Sequence, residues 1–226
     1  MNRYPSIFFI LFIIPLAAFV GLWSVFSLST PVYADTHTVT NTNNSGAGSL
    51  RQAVLDAQAG DVIEFAAELN GQTITLASEI VLNKPLTIRS SFPLLSVATM
   101  PPVFLMCNAE IVLEGLTLEK GAVQTDDCGD VSDLCGGAII IQSAGGVLTV
   151  KDSTLRQNAA NYGSGIYNNE GVLVVVDTTL EENVAQVAGA GIYQVGDIDR
   201  VRECGGGKFG RIIRRRGVWD GRGRGH

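Results

Sequence analysis

Histidine is nearly missing from this chain: His37 and His226 are the two in 226 residues. One stands close to the N-terminal leader and the other is the last residue. Neither is expected in a built site, which excludes histidine acid–base catalysis and histidine metal ligation. Charge is also thin, at 17% of residues against the roughly one quarter usual for globular domains. Between Asp35 and Gly196 the basic residues are Arg51, Lys84, Arg89, Lys120, Lys151 and Arg156, six against eighteen acids. A lyase that pulls a proton from a sugar with a basic residue finds little here; Lys151 and Arg156, flanking one strand, are the one hint. Aromatics make up 7%, while glycine reaches 26 residues and apolar types 46%. Few large rings and many small or branched side chains suit a narrow stacked interior, in one elongated domain.

What is present is a rhyme. Gly146-Val147-Leu148-Thr149-Val150-Lys151-Asp152-Ser153-Thr154-Leu155 returns 25 residues later as Gly171-Val172-Leu173-Val174-Val175-Val176-Asp177-Thr178-Thr179-Leu180. An asparagine follows each copy (Asn158, Asn183), then a small-residue block, Gly163-Ser164-Gly165-Ile166-Tyr167 or Gly189-Ala190-Gly191-Ile192-Tyr193. Upstream, Ile111 and Leu113 stand where Leu148 and Val150 stand, after an insertion of about a dozen residues, and Leu86 and Ile88 fit one unit earlier. Gly136-Gly137-Ala138-Ile139 matches the later small-residue blocks. Inside each copy the apolar residues alternate, which is the pattern of a short strand with one buried face. A fixed period of this length, with no helical pattern between strands, predicts stacked coils. The fold class is all-β: a parallel β-helix of about six coils, each coil burying its face on the next.

Residues 1–34 read as a signal peptide. Arg3 supplies a positive start, Ile7 to Leu28 is almost wholly apolar, and Val32-Tyr33-Ala34 before Asp35 is a small-x-small cleavage pattern. The apolar run is also long enough to span a bilayer, so a retained anchor is the alternative. Both readings put the rest of the chain outside the cytoplasm, secreted or on the cell surface. Residues 35–196 form the β-helix domain. Its single predicted helix starts at Ser49 as N-cap, with Gln52 as capping-box partner. Leu50, Ala53, Val54 and Ala57 make its apolar stripe, Gly60 ends it, and its task is to cover the open end of the stack. Arg51 is expected in a surface or capping salt bridge.

With these residues in view, a resemblance appears. Val39-Thr40-Asn41-Thr42, Gly46-Ala47-Gly48-Ser49-Leu50-Arg51-Gln52-Ala53-Val54 and Gly60-Asp61-Val62-Ile63-Glu64-Phe65 are similar to the N-terminal cap of secreted bacterial right-handed β-helix proteins. These are surface proteins of pectin-lyase-like fold with polymorphic-outer-membrane-protein-type repeats. Ile74-Thr75-Leu76, Ile80-Val81-Leu82 and Pro85-Leu86-Thr87-Ile88 resemble their first coil. The resemblance covers residues 38–193 and implies fold and export, not a reaction. Residues 91–102 depart from the family pattern.

Asp152 and Asp177 hold equivalent positions one coil apart. A carboxylate pair of that kind serves some β-helix glycosidases, but a turn position is the simpler role. The insertion Gln124-Thr125-Asp126-Asp127-Cys128-Gly129-Asp130-Val131-Ser132-Asp133-Leu134-Cys135 is the most polar feature. Asp126, Asp127, Asp130 and Asp133 are candidate calcium ligands, although their spacing is not that of an EF-hand. Cys128 and Cys135, which enclose Asp130 and Asp133, read as a disulfide suited to an oxidising compartment, and Cys107 reads as a buried thiol. Residues 197–226 break the pattern: a Gly/Arg-rich tail with nine basic and four acidic residues, expected to be without order. It reads as a shift of reading frame in a longer gene, or as a basic interaction tail.

Taken together, a non-catalytic exported surface protein is expected, acting in adhesion or carbohydrate binding, whole or as a truncated fragment. The alternative is a polysaccharide lyase or hydrolase of the same fold. No catalytic residue and no cofactor are assigned. The expected partners are an extracellular polysaccharide or a cell-surface molecule, not nucleic acid, and a membrane only if the leader stays attached. Alkylation before and after reduction checks the staple: Cys128 and Cys135 are expected to label only after reduction.

Overall fold

The computed structural model describes residues 33–92, 96–99, 103–106, 108–122, 136–195, 201–204 and 213–215. Residues 1–32 of the expected signal peptide, Cys107, the calcium and disulfide candidates at 126–135 and much of the tail lie outside them. Three parallel sheets organise the unit Ala34–His226. The first contains β1 (Thr36–Val39), β2 (Val62–Phe65), β5 (Leu86–Arg89), β8 (Glu110–Glu114), β11 (Val147–Lys151), β15 (Val172–Val176) and β19 (Val201–Cys204). The second contains β3 (Thr73–Leu76), β6 (Ser96–Thr99), β9 (Thr117–Glu119), β12 (Thr154–Arg156) and β16 (Thr179–Glu181). The third contains β4 (Ile80–Leu82), β7 (Phe104–Met106), β10 (Ile139–Ile141), β14 (Ile166–Asn169), β18 (Ile192–Val195) and β20 (Ile213–Arg215). The chain visits first, second and third sheet in turn, so it is a parallel β-solenoid of about five turns, one fewer than the repeat suggests. β1 and the helix cap the stack instead of forming a coil.

The predicted equivalences are the observed register. Leu86 pairs with Ile111, Ile111 with Leu148 and Leu148 with Leu173. Ile139, Ile166 and Ile192 align likewise in the third sheet. Inward residues therefore stack in columns. Ile63, Ile88, Leu113, Val150 and Val175 form one, and all five are fully buried. Ile74, Val97, Leu118, Leu155 and Leu180 form another, from the second sheet. Within the departing stretch 91–102, residues 96–99 form β6, paired to β3 and β9.

Corners carry the unusual backbone. Asp152 and Asp177 have φ of 49° and 43°, both exposed, at the turn from first to second sheet. Asn and Asp tolerate this left-handed conformation better than most residues, which agrees with the turn role. Gln157 and Glu182 repeat it at the next corner, with φ of 55° and 53°. Just beyond, Asn158 is fully buried. Its Oδ1 accepts from Gly121 N at 2.8 Å, and its Nδ2 donates to Leu118 O at 3.2 Å and to Asn183 Oδ1 at 2.9 Å. Asn183 repeats the motif by donating to Leu155 O at 2.8 Å. At Gly165 a Cβ would overlap Gly191 O of the next coil, which explains the small-residue blocks.

The helix Leu50–Asp56 packs Leu50, Ala53 and Val54 into the core cluster at the first coil. Ser49 caps it through Gln52 N at 3.2 Å. The capping box is only half made, since Gln52 Nε2 turns to Asp56 Oδ1 at 2.8 Å, a better-placed acceptor one turn on. The helix ends at Asp56, before Gly60, and the Lys84 ammonium tops its last carbonyls at Leu55 and Ala57. Among the described residues, Arg51 makes no carboxylate pair. It clamps the carbonyls of Asn44, Ser78 and Glu79, because the cap loop and the first corner both present oxygens there.

Beyond Val195 the structure describes two short strands, at residues 201–204 and 213–215. β19 pairs with β15 and β20 with β18, both parallel. The open edge of the last coil offers unpaired N–H and C=O groups, which any extended segment satisfies.

Truncating a column or a ladder should be costly. Leu148→Ala is expected to lose about 2–5 kcal/mol and Asn158→Ala about 1–3 kcal/mol, measured as lowered urea midpoints.

Candidate functional site

Variation between coils collects on one edge. The turn from second to third sheet is short in the first coil, from Leu76 to Ile80. In the third coil it takes the Asp-rich insertion, which leaves after Ala122 and returns at Gly136. In the last two coils it carries β13 (Ala159–Tyr162) and β17 (Val184–Ala188), paired as a ribbon. Insertions in a solenoid map to loops on one face, which is often the binding face.

Beside that edge lies the outer face of the second sheet. Thr73, Thr117, Thr154 and Thr179 share one outward column, with Ser96 at the intervening register position; Thr73 is exposed and Thr154 and Thr179 are half-buried, whereas Thr117 is buried. Strands in this direction lie about 4.8 Å apart, so a hydroxyl-bearing position recurs at that spacing for five coils. The neighbouring column brings Glu119, Arg156 and Glu181 together. Arg156 Nη2 and Nε reach Glu119 Oε2 at 2.7 and 2.8 Å, and Glu119 is 4% exposed. A carboxylate so buried needs this charged partner. Gln157 donates to Glu182 Oε2 at 2.8 Å along the same edge.

The first sheet pairs its charges in the same way: Lys151 Nζ lies 2.8 Å from Glu114 Oε1, and Arg89 holds Glu64. Lys151 and Arg156, the two candidate proton acceptors, are thus committed to carboxylates of the preceding coil. Asp152 and Asp177 sit at successive corners on the exposed surface. On the outside of the third sheet, Leu105, Ile140, Tyr167 and Tyr193 form an apolar row. The Tyr167 and Tyr193 rings stack at 5.6 Å, and Tyr162 from the ribbon leans on Tyr193 at 4.9 Å. Both row tyrosines are 5% exposed, so they act as packing, not as stacking platforms for a ligand.

One histidine proves to be built in after all. Pairing of β1 with β2 places His37 at the first coil, where its Nε2 lies 2.9 Å from Asp61 Oδ2. Asp61 is 4% exposed and occupies the inward register position that Leu86, Ile111, Leu148 and Leu173 fill in later coils. Gln58 N donates to its Oδ2 at 2.7 Å and Asp35 N to its Oδ1 at 2.9 Å. These bonds, the Gln58 amide first and the His37 ring next, lower the Asp61 pKa from 3.8 to about 2. Among the described residues, no group of three or more His, Cys, Asp or Glu is placed to hold a metal ion.

The sequence signalled the Asp152/Asp177 equivalence and the basic pair Lys151/Arg156. It did not flag the threonine column or Asp61, although an Asp interrupting an apolar column was a readable sign of both burial and pairing.

No protein-family model matches the chain, and neither a curated protein nor a solved structure matches it.

The Asp61 cluster predicts a pH dependence. Its folded pKa is depressed, so its contribution to stability is present above about pH 4 and is lost as pH falls through about 2. Asp61→Asn should lower Tm at neutral pH and flatten the acid limb, measured by thermal melts across that range.

Proposed function

We propose that this chain is a non-catalytic, exported β-helix protein of the cell surface or extracellular space. It binds an extended neutral polysaccharide along the outer face of the second sheet. The carrying observation is the threonine column, accessible at Thr73, Thr154 and Thr179, beside a column of paired charges. A motif that recurs along a straight face suits a polymer better than a compact ligand. Hydroxyls both donate and accept, as sugar hydroxyls do. Residues 35–196 carry six basic and eighteen acidic residues, which disfavours an anionic glycan.

Engagement of Lys151 and Arg156 in ion pairs speaks against a lyase, which needs a free base. The exposed corner positions of Asp152 and Asp177 speak against a glycosidase pair, which works flanking a bound sugar. Calcium held by Asp126, Asp127, Asp130 and Asp133 would be an accessory to this binding.

A glycan array with the exported protein tests this. Binding to one or more neutral polysaccharides is expected, without cleavage. Thr154→Val with Thr179→Val should weaken it by about tenfold, equivalent to ~1.4 kcal/mol, at unchanged Tm. Exclusive binding of anionic glycans, or release of shortened chains, would count against the proposal.

A further inference from the structure

We propose that Asp61 is a receptor for the protein's own new N-terminus. When the Ala34–Asp35 bond is hydrolysed, the Asp35 nitrogen becomes an ammonium that pairs with the Asp61 carboxylate. This rests on the export reading, which puts the cleavage at that bond. In the step itself, water adds to the Ala34 carbonyl carbon and the C–N bond breaks. Ala34 leaves as a carboxylate and Asp35 keeps the nitrogen as –NH3+. A signal peptidase supplies the catalysis, and no other reactant is needed.

Four observations converge on it. The Asp35 nitrogen already lies 2.9 Å from Asp61 Oδ1, before any cleavage. That oxygen takes this one hydrogen bond, while Oδ2 takes those of Gln58 N and His37 Nε2. Asp61 stands at an inward position that is apolar in the next four coils, and no lysine or arginine is among its hydrogen-bond partners. Burying a carboxylate in place of a leucine is costly unless a charge meets it. Finally, the bond to be cut is reachable: Tyr33 is 81% exposed, and Ala34 and Asp35 are exposed as well.

The new terminus has no distance to travel. Val62 N holds Asp35 O at 2.8 Å, and β1 runs in register along β2 from Thr36 to Val39. Cleavage converts a neutral amide donor into a charged one in place, and charge-assisted hydrogen bonds are roughly twice as strong as neutral ones. The cap therefore tightens only after the leader has gone, which couples export to the final stability of the first coil.

The test compares three forms of the protein starting at Asp35. They are made by export of the full chain or by removing an N-terminal tag at the same bond. The first has a free α-amino group, the second is acetylated there alone, and the third is Asp61→Asn in both states. The free form is expected to melt about 2–4 °C above the acetylated form, and this gap should vanish in Asp61→Asn. Equal melting of free and acetylated forms with Asp61 intact would overturn the pairing, whatever the export result. N-terminal sequencing of the exported product addresses the other half. A first residue other than Asp35 would overturn cleavage at this bond and leave the melting comparison to be judged separately.

Discussion

Every coil of this protein depends on one condition: it must lie flat on a copy of itself. Strand N–H and C=O groups point along the stack, so the next coil alone can satisfy them. Side chains at equivalent positions then meet at about 4.8 Å whether or not they attract. Apolar columns such as Ile63–Ile88–Leu113–Val150–Val175 meet the condition without further help. Polar columns meet it by complementation. Asn158 and Asn183 bond each other and the carbonyl of the coil below. Where charges stack, their signs alternate, as in Glu64 with Arg89, Glu114 with Lys151 and Glu119 with Arg156. Like charges directly opposed would destabilise the sheet.

A stack that satisfies its interior leaves its ends unsatisfied, and most of the special chemistry here lies at the first end. The helix Leu50–Asp56 closes the apolar core. Arg51 ties the cap loop to the first corner through carbonyls, and Lys84 closes the helix C-terminus. Asp61 ends an apolar column with a carboxylate that gathers the Gln58 and Asp35 amides and the His37 ring. These residues look like candidate functional groups by type. Their partners show them to be the end fittings of the solenoid.

Legibility in the sequence follows from the same condition. Identity of equivalent positions is a linear signal, so the register of β8, β11 and β15 could be read from Ile111, Leu148 and Leu173 alone. The turn role of Asp152 and Asp177 came with it. What one strand of sequence does not show is the partner across the coil. Arg156 with Glu119 spans 37 residues and His37 with Asp61 spans 24. Neither is visible until the insertion is counted and β1 is known to lie on β2. The helix stops before Gly60, with Ala57 as its C-cap in extended conformation and Lys84, from the next corner, on the carbonyls there.

Self-stacking also limits where function can sit. A side chain inside a column is constrained by its neighbours above and below, so it cannot be changed alone. Only the outward columns and the corner between second and third sheets escape. That corner tolerates anything from the short Leu76–Ile80 connection to the Asp-rich insertion without disturbing the register of Leu118 with Leu155. Long loops cost little extra closure entropy, and the strands on either side already fix their ends. Recognition built on such an edge is separable from folding. The threonine column beside it belongs to both, since Thr154 must stack on Thr117 and Thr179 while presenting a hydroxyl outward. Threonine suits that double duty because its branched Cβ favours the strand. The same requirement that builds the solenoid thus produces a repeated polar surface on the outside of the second sheet.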